Sequence, residues 1–177
     1  SGTVWWDDVR VEPASDESVY TRESEHIVLK LDRSKVTISD ADIDAWLSNL
    51  DRVYDAYGDL VGEVPYEGRK ILILNTPGIE PGYWALAGNP ILWNSHVAVS
   101  PLLERTVEFD DWGFGILHEI GHVFSQSNIK NSGRWNWNDE IFANFRMSYA
   151  LEKCGGTVSQ RDVCYRGADI INYYKIF

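Results

Sequence analysis

The sequence predicts an α+β fold built on a small mixed sheet, and three observations carry that prediction. Two short apolar runs, 26–31 and 69–75, stand apart as strand candidates. Between them, and again after residue 112, apolar residues recur at helical spacing. The resulting order is strand, helix, strand, edge strand, helix, helix, with no regular alternation of the two kinds. At 177 residues the chain fits one domain, 1–177, large enough to bury a core without staples.

Residues 1–24 are polar and acidic with isolated Trp5 and Trp6, and read as an irregular arm. His26 opens the first strand and reads as a strand-end residue with no chemistry. Ser39-Asp40-Ala41-Asp42 has capping-box character. Ile43, Trp46, Leu47, Leu50, Val53, Tyr54 and Tyr57 then mark an amphipathic helix that ends near Gly58. Asp40, Asp42 and Asp44 resemble the start of a calcium loop, but Ala45 stands where that loop needs glycine and Asp51 where it needs glutamate. Acids favoured by the dipole of a solvated helix N-terminus explain them better. The second strand, 69–75, is apolar enough to be buried on both faces. Pro77-Gly78 and Pro81-Gly82 break the next stretch into loops. Gly88 and Pro90, within 83–93, fit an edge or a bulge, and 97–99 reads as a short strand. Residues 112–117 lead into a helix that runs to about Gln126. A polar loop, 128–138, carries Trp135 and Trp137, and Asn138 or Asp139 caps the next helix, which runs from Glu140 to about Lys153. A cysteine loop and a final helix from about Arg166 occupy 154–177.

A net charge of −11 repels phosphate backbones, which argues against nucleic acid as a partner; it also repels heavily sialylated or sulfated substrates unless the cleft is locally positive. Eight tryptophans and nine tyrosines point to a thick core or to a surface that stacks on sugars or peptide side chains. Cys154 and Cys164 close a short loop around Gly155 and Gly156; the spacing does not match a CxxC motif, and a local disulfide of a secreted protein is expected. No run of eighteen apolar residues exists, so no membrane span is expected. Ser1-Gly2 has the look of a cloning remnant, and the chain stops inside an apolar, aromatic run at Ile176-Phe177. The expectation is a secreted or cell-surface domain excised from a longer chain, its leader removed.

The chemistry sits in Leu117-His118-Glu119-Ile120-Gly121-His122-Val123. His118 and His122, four apart, lie one above the other on a helix face. Both imidazoles can grip one zinc ion there, while Glu119 reaches toward a water on it. The plainer alternative, a buried helix with two hydrogen-bonded histidines, leaves Glu119 as a costly buried charge among Ile116, Ile120, Val123 and Phe124. Gly121 weakens a helix, which makes sense where something must approach the backbone. Zinc needs a third protein ligand and an open fourth position. Ser125 and Asn128 stand where metzincin spacing needs glycine and histidine, and the single methionine, Met147, reads as helix packing. A glutamate on a following helix fits instead: Glu140 lies eighteen positions past His122. Asp139 is the rival ligand, but it points about 100° away around the helix and suits an N-cap. Asn144, one turn beyond Glu140, is either an ordinary polar helix residue or the group that holds a zinc histidine by its free ring nitrogen. With His118, His122 and Glu140 on one Zn2+, Glu119 is the expected general base. Tyr83, His96, Tyr149 and Tyr165 are candidates for stabilising the oxyanion, Tyr149 the weakest because it falls on roughly the opposite helix face from Glu140.

Ala87-Gly88-Asn89-Pro90-Ile91 begins thirty-one positions before His118, and a tryptophan-bearing loop leads to Glu140 and Asn144. This combination resembles the enhancin-like zinc metallopeptidases, a gluzincin family that includes viral enhancins and bacterial mucin-targeting proteases. The likeness spans residues 83–151. It implies a zincin-like catalytic domain with zinc on His118, His122 and Glu140, and Glu119 as base. It also implies that 87–91 forms the rim strand over the cleft and pairs with an extended substrate, so Ala87, Gly88, Asn89 and Pro90 are expected substrate contacts. Members of that family often act on glycoproteins, some by recognising an O-glycan beside the cleaved bond. Trp84, Trp93, Trp135 and Trp137 are therefore expected either to contact glycans or to pack the core. Catalytic domains of the family are usually longer; the 37 residues after Glu140 leave the cleft more open or part of it outside this chain.

Two functions of different class are consistent with these residues. The first is a secreted zinc endopeptidase acting on proteins or glycoproteins, O-glycosylated mucin-like ones included. The second is a glycan- or protein-binding module that keeps a zincin frame with little turnover. An intact Glu119 argues against the second, since losing the base is the simplest way to become idle. A zinc hydrolase other than a peptidase, or a protease dedicated to one protein target, fits the same residues.

Overall fold

Residues 16–80, 82–97, 99–125, 138–160 and 163–166 are described in the structure, a computed structural model. Strand β1 (Val19–Glu23) pairs antiparallel with β2 (Ile27–Asp32), Val19 opposite Asp32. The end of the expected irregular arm is thus an edge strand. It is held from the side: the Tyr20 hydroxyl donates to Asp40 at 2.9 Å, and Arg22 forms a two-pronged pair with Asp44 at 2.7 Å. Asp40 and Asp44 therefore anchor β1 as well as favouring the helix start. Trp5 and Trp6 lie outside the described residues.

Helix α1 (Asp40–Val61) opens on the capping box of Ser39 with Asp42 and runs past Gly58 to Gly62. Gly62, at φ 79°, takes the left-handed conformation that ends helices, so Gly58 stays inside the helix. Ile43, Trp46, Leu47, Leu50, Val53 and Tyr57 are buried as the spacing predicts. β3 (Ile71–Thr76) returns parallel to β2, Ile27 opposite Ile71. It buries Ile71 and Ile73 while Leu72 and Leu74 remain half-exposed. One face is buried, not two, because the core lies on one side of the sheet.

The segment 83–93 forms two strands, β4 (Ala85–Leu86) and β5 (Ile91–Asn94), with 87–90 as the turn between them. β5 lies parallel to β3 and β4 is the outer edge, giving the order β1-β2-β3-β5-β4. The expected strand at 97–99 is instead the entry to α2 (Val99–Phe109), with Pro101 in its first turn, where a missing N–H costs nothing. Helix α3 (Phe114–Val123) stops three residues short of Gln126. Helix α4 (Asp139–Cys154) is capped by Asn138, whose Oδ1 accepts from Ile141 N at 3.1 Å, and ends at Gly155, φ 72°.

After α4 the chain forms a hairpin of β6 (Thr157–Gln160) and β7 (Val163–Arg166) where a cysteine loop is expected. Arg166 is a strand residue, and 167–177 lie outside the described residues. Cys154 and Cys164 are free thiols, not a disulfide. Cys154 turns its sulfur toward the Arg52 carbonyl of α1 at 3.5 Å, while Cys164 is exposed on β7.

Helices α1, α3 and α4 pack on one another over the sheet. Two buried donors of α1 fix where α3 sits: Trp46 Nε1 donates to Trp112 O at 3.0 Å and Tyr57 Oη to Leu117 O at 2.9 Å. Burial outweighs the weak helix propensity of α3. Ile116, Leu117, Ile120 and Val123 are fully buried, worth about 1.5–3 kcal/mol each, against about 1 kcal/mol for each glycine in the helix. Among the described residues, no helix is long and apolar enough to cross a membrane.

Candidate functional site

Gly121 decides how closely α3 and α4 approach. A Cβ built there would lie 2.9 Å from the Ala143 carbonyl oxygen and 3.0 Å from its Cα. Only a bare backbone fits, and the close crossing brings Asp139, Glu140 and Asn144 of α4 against His118 and His122 of α3.

Each imidazole is held by its Nδ1. His118 Nδ1 lies 2.7 Å from Asn144 Oδ1, and His122 Nδ1 lies 2.7 Å from Asp139 Oδ2. Amide and carboxylate oxygens only accept, so both Nδ1 atoms donate and both Nε2 atoms keep a lone pair on the neutral ring. Those Nε2 atoms converge to 2.9 Å. The Glu140 carboxylate faces the pair, Oε2 at 3.2 Å from His118 Nε2 and Oε1 at 3.4 Å from His122 Nε2. His118, His122 and Glu140 thus offer three ligand atoms within 4.8 Å of one another, a cluster that could hold a metal ion. Two facing lone pairs and a carboxylate repel one another unless a cation stands among them. The Ser125 hydroxyl lies between the His122 carbonyl oxygen, at 2.6 Å, and the second oxygen of Asp139.

Electrostatics favour the neutral form of His118. Burial, then the neighbouring His122, hold His118 below the ordinary imidazole value. Burial pushes the Glu119 carboxyl up to about 7; Glu140 adds to that and His122 opposes it. Glu119 is therefore poised to exchange a proton near neutrality.

A cleft of about 610 Å3 runs past this cluster, bounded by 82–88 on one side and α3 and α4 on the other. Ala87 and Gly88 line it. Asn89 and Pro90 do not: the Asn89 amide is committed to β3, accepting from Leu72 N at 2.9 Å and donating to Lys70 O at 3.0 Å. The edge of the sheet beside the cleft is Ala85–Leu86, not 87–91. Trp84 lines the cleft half-buried, its ring stacked on Trp93 at 5.5 Å. Trp93 itself is completely buried, because it faces inward with Ile91, two residues earlier on the strand. It is core, not a substrate surface. Trp135 and Trp137 lie outside the described residues.

Among the oxyanion candidates, Tyr83 lines the cleft and is 56% exposed. His96, Tyr149 and Tyr165 are not in its wall. Sequence reasoning missed one residue, Tyr66, and the role of another, Asp139. Tyr66 lines the cleft from a turn in which it and Glu67 take the left-handed conformation, φ 51° and 57°; no local sequence signal marks it beyond the flanking Pro65 and Gly68. Asp139 is neither the N-cap nor in the three-residue cluster, but the acceptor behind His122. The sequence puts Asp139 forward as a rival ligand or an N-cap, and nothing in it marks this third role.

No family model matches the sequence, and no curated protein matches it. Among solved structures, the chain is similar to one described as the crystal structure of a functionally unknown conserved protein from Bacillus anthracis str. Ames. The TM-score is 0.58 at 16% identity, over 79% of this chain and 30% of that one. The likeness is one of fold alone. This chain spans less than a third of that protein's length.

Proposed function

We propose that this chain is a zincin-like metallopeptidase domain of gluzincin type, resembling the enhancin-like enzymes, that hydrolyses peptide bonds of proteins or glycoproteins outside the cell. One observation carries the reading: the convergence of His118 Nε2, His122 Nε2 and the Glu140 carboxylate, with both remaining ring nitrogens tied by Asn144 and Asp139. Two imidazoles and a carboxylate are a donor set suited to zinc, and the acceptors behind the rings are what a metal-binding histidine uses to present its lone pair. Zinc held there supplies Lewis acidity toward a carbonyl and toward water. Glu119, one residue from His118 and with its pKa raised to about 7, accepts a proton from the attacking water and returns it to the leaving amine. Tyr83 and Tyr66 stand in the cleft wall as donors for the developing oxyanion. The free edge of β4 offers backbone groups to an extended substrate, and Trp84 a partly open ring to a sugar or side chain.

The test is metal analysis followed by digestion of a mucin-type glycoprotein and of its deglycosylated form, for the wild type and Glu119→Ala. One zinc per chain is expected in both proteins and cleavage only in the wild type. Cleavage by both proteins would overturn the role of Glu119. Stoichiometric zinc with no cleavage of either substrate would favour a binding module on the same frame. His118→Ala and Glu140→Ala are expected to lose the metal.

A further inference from the structure

A second cavity opens beside the first. It measures about 370 Å3, shares Trp84, His118 and Glu119 with the cleft, and runs between α2 and the start of α3. Trp84, Pro101, Leu102 and Phe114 give it apolar walls. Apart from His118 and Glu119 at the end it shares with the cleft, its charged groups, Arg105 and Asp111, are committed to each other. Asp111 is buried, and its carboxylate accepts from Arg105 Nε at 3.1 Å, Gly113 N at 3.0 Å and Ser159 N at 3.2 Å. One carboxylate thereby ties α2, the entry to α3 and β6 into a fixed wall. The same contact matches the charge of Arg105, so the cavity offers no uncompensated cation to an acidic group. Gly115 completes the shape. A Cβ there would lie 2.6 Å from the Trp84 ring, so the bare backbone lets the indole lie against α3 as the partition between the two cavities.

We infer that this cavity receives a large apolar side chain, aromatic by preference, from the substrate residue next to the bond that Glu119 serves. The inference rests on the peptidase reading above for the nature of the substrate. It rests on the continuity of the two cavities at His118 and Glu119 for the place of the side chain. The space is of the size that buries most of a ring, and an apolar wall in which Arg105 and Asp111 match each other, with Glu119 at its mouth, favours a ring or branched aliphatic over a carboxylate. A single missing methylene in such a pocket lowers kcat/KM roughly 10- to 200-fold, so replacing a ring by a methyl group should cost at least tenfold.

The experiment maps cleavage sites in unfolded casein by mass spectrometry for the wild type, Leu102→Trp and Ser159→Phe. The two substitutions fill the cavity from different elements, α2 and β6, and the second serves where the first does not fold. The wild type is expected to favour Phe, Tyr or Leu over Ala and Glu at one position flanking the bond by at least tenfold. Each variant should lose that preference while still cutting beside small residues. Cleavage with no preference at either flanking position, or a preference that survives both variants, overturns the inference and leaves the peptidase reading standing. If casein is not cleaved, the peptidase reading is left to the glycoprotein digestion above, and the cavity is judged by NMR titration with N-acetyl-phenylalanine amide and N-acetyl-alanine amide. Shifts at the Trp84 indole N–H with the first only, absent in the variants, support it; equal response to both compounds overturns it.

Discussion

Glu119→Gln is expected to stabilise the metal-free protein by an amount that grows with pH. The carboxyl is raised from its ordinary 4.5 to about 7, chiefly by burial. A carboxyl raised in the folded state favours folding fully below its unfolded value and loses that advantage as pH climbs through the folded one. At about 1.4 kcal/mol per pH unit, ionising Glu119 costs the folded protein less than about 1 kcal/mol at pH 5 and about 3 kcal/mol at pH 8. The neutral amide escapes that cost. Urea unfolding of both proteins in chelator, at pH 5, 6, 7 and 8, cancels in the difference the titrating groups that Glu119 does not face. The gap should widen across this window and flatten above pH 7. At pH 8 it corresponds to roughly 6–12 °C in Tm for a domain of this size. A cation at the cluster favours the ionised carboxylate, so saturating zinc should shrink the gap. Equal gaps at pH 5 and pH 8, or a variant less stable at pH 8, would refute the claim that Glu119 is held out of water.

Asp139→Asn and Asn144→Ala should each weaken metal binding by about 10- to 100-fold, measured by competition with a chromophoric chelator; unchanged affinity would mean the Nδ1 contacts do not orient the rings. Gly121→Ala should destabilise the fold by about 1–3 kcal/mol in urea, because its methyl group meets the Ala143 backbone rather than a yielding side chain; a neutral result would mean α3 and α4 can part without cost. Under non-reducing conditions two thiols per chain should react with Ellman's reagent after unfolding. In the folded protein exposed Cys164 should react first, since burial raises the Cys154 thiol; no reaction would mean the two sulfurs are bonded after all.

The parts of this protein legible in its sequence are those whose geometry is local. Capping by Ser39 and Asp42 and the spacing of His118 and His122 are fixed within one or two helical turns, and the helices carry them as read. The contacts within α4 are harder. Asp139 and Glu140 are about 100° apart around the helix, which argues against both serving one site. They do so through different atoms of the histidines: Asp139 takes the far nitrogen of His122 while Glu140 faces the near ones.

Other misreadings have different causes. β1 buries only Tyr20, since an edge strand needs little apolar content when its partner supplies the pairing; no local pattern announces it. Trp93 is the opposite case. Its inward direction follows from the two-residue period with Ile91, but Gly88 and Pro90 hide the strand in which that period runs. The cavity beside Glu119 belongs to neither group. Its wall joins residues 102, 105, 111, 114 and 159 from three elements, and the buried Asp111 that unites them sits in a stretch, Asp110-Asp111, that reads as a solvated acidic turn. A carboxylate with three donors from separate elements is a tertiary fact. If the cavity sets specificity, Asp111→Asn should loosen side-chain preference while leaving the metal cluster loaded, because neither Asp111 nor its partners touch His118, His122 or Glu140 in any hydrogen bond or ion pair of the described residues. Loss of metal in that variant would mean the wall and the cluster are one structure, and that the cavity shapes the site instead of extending it.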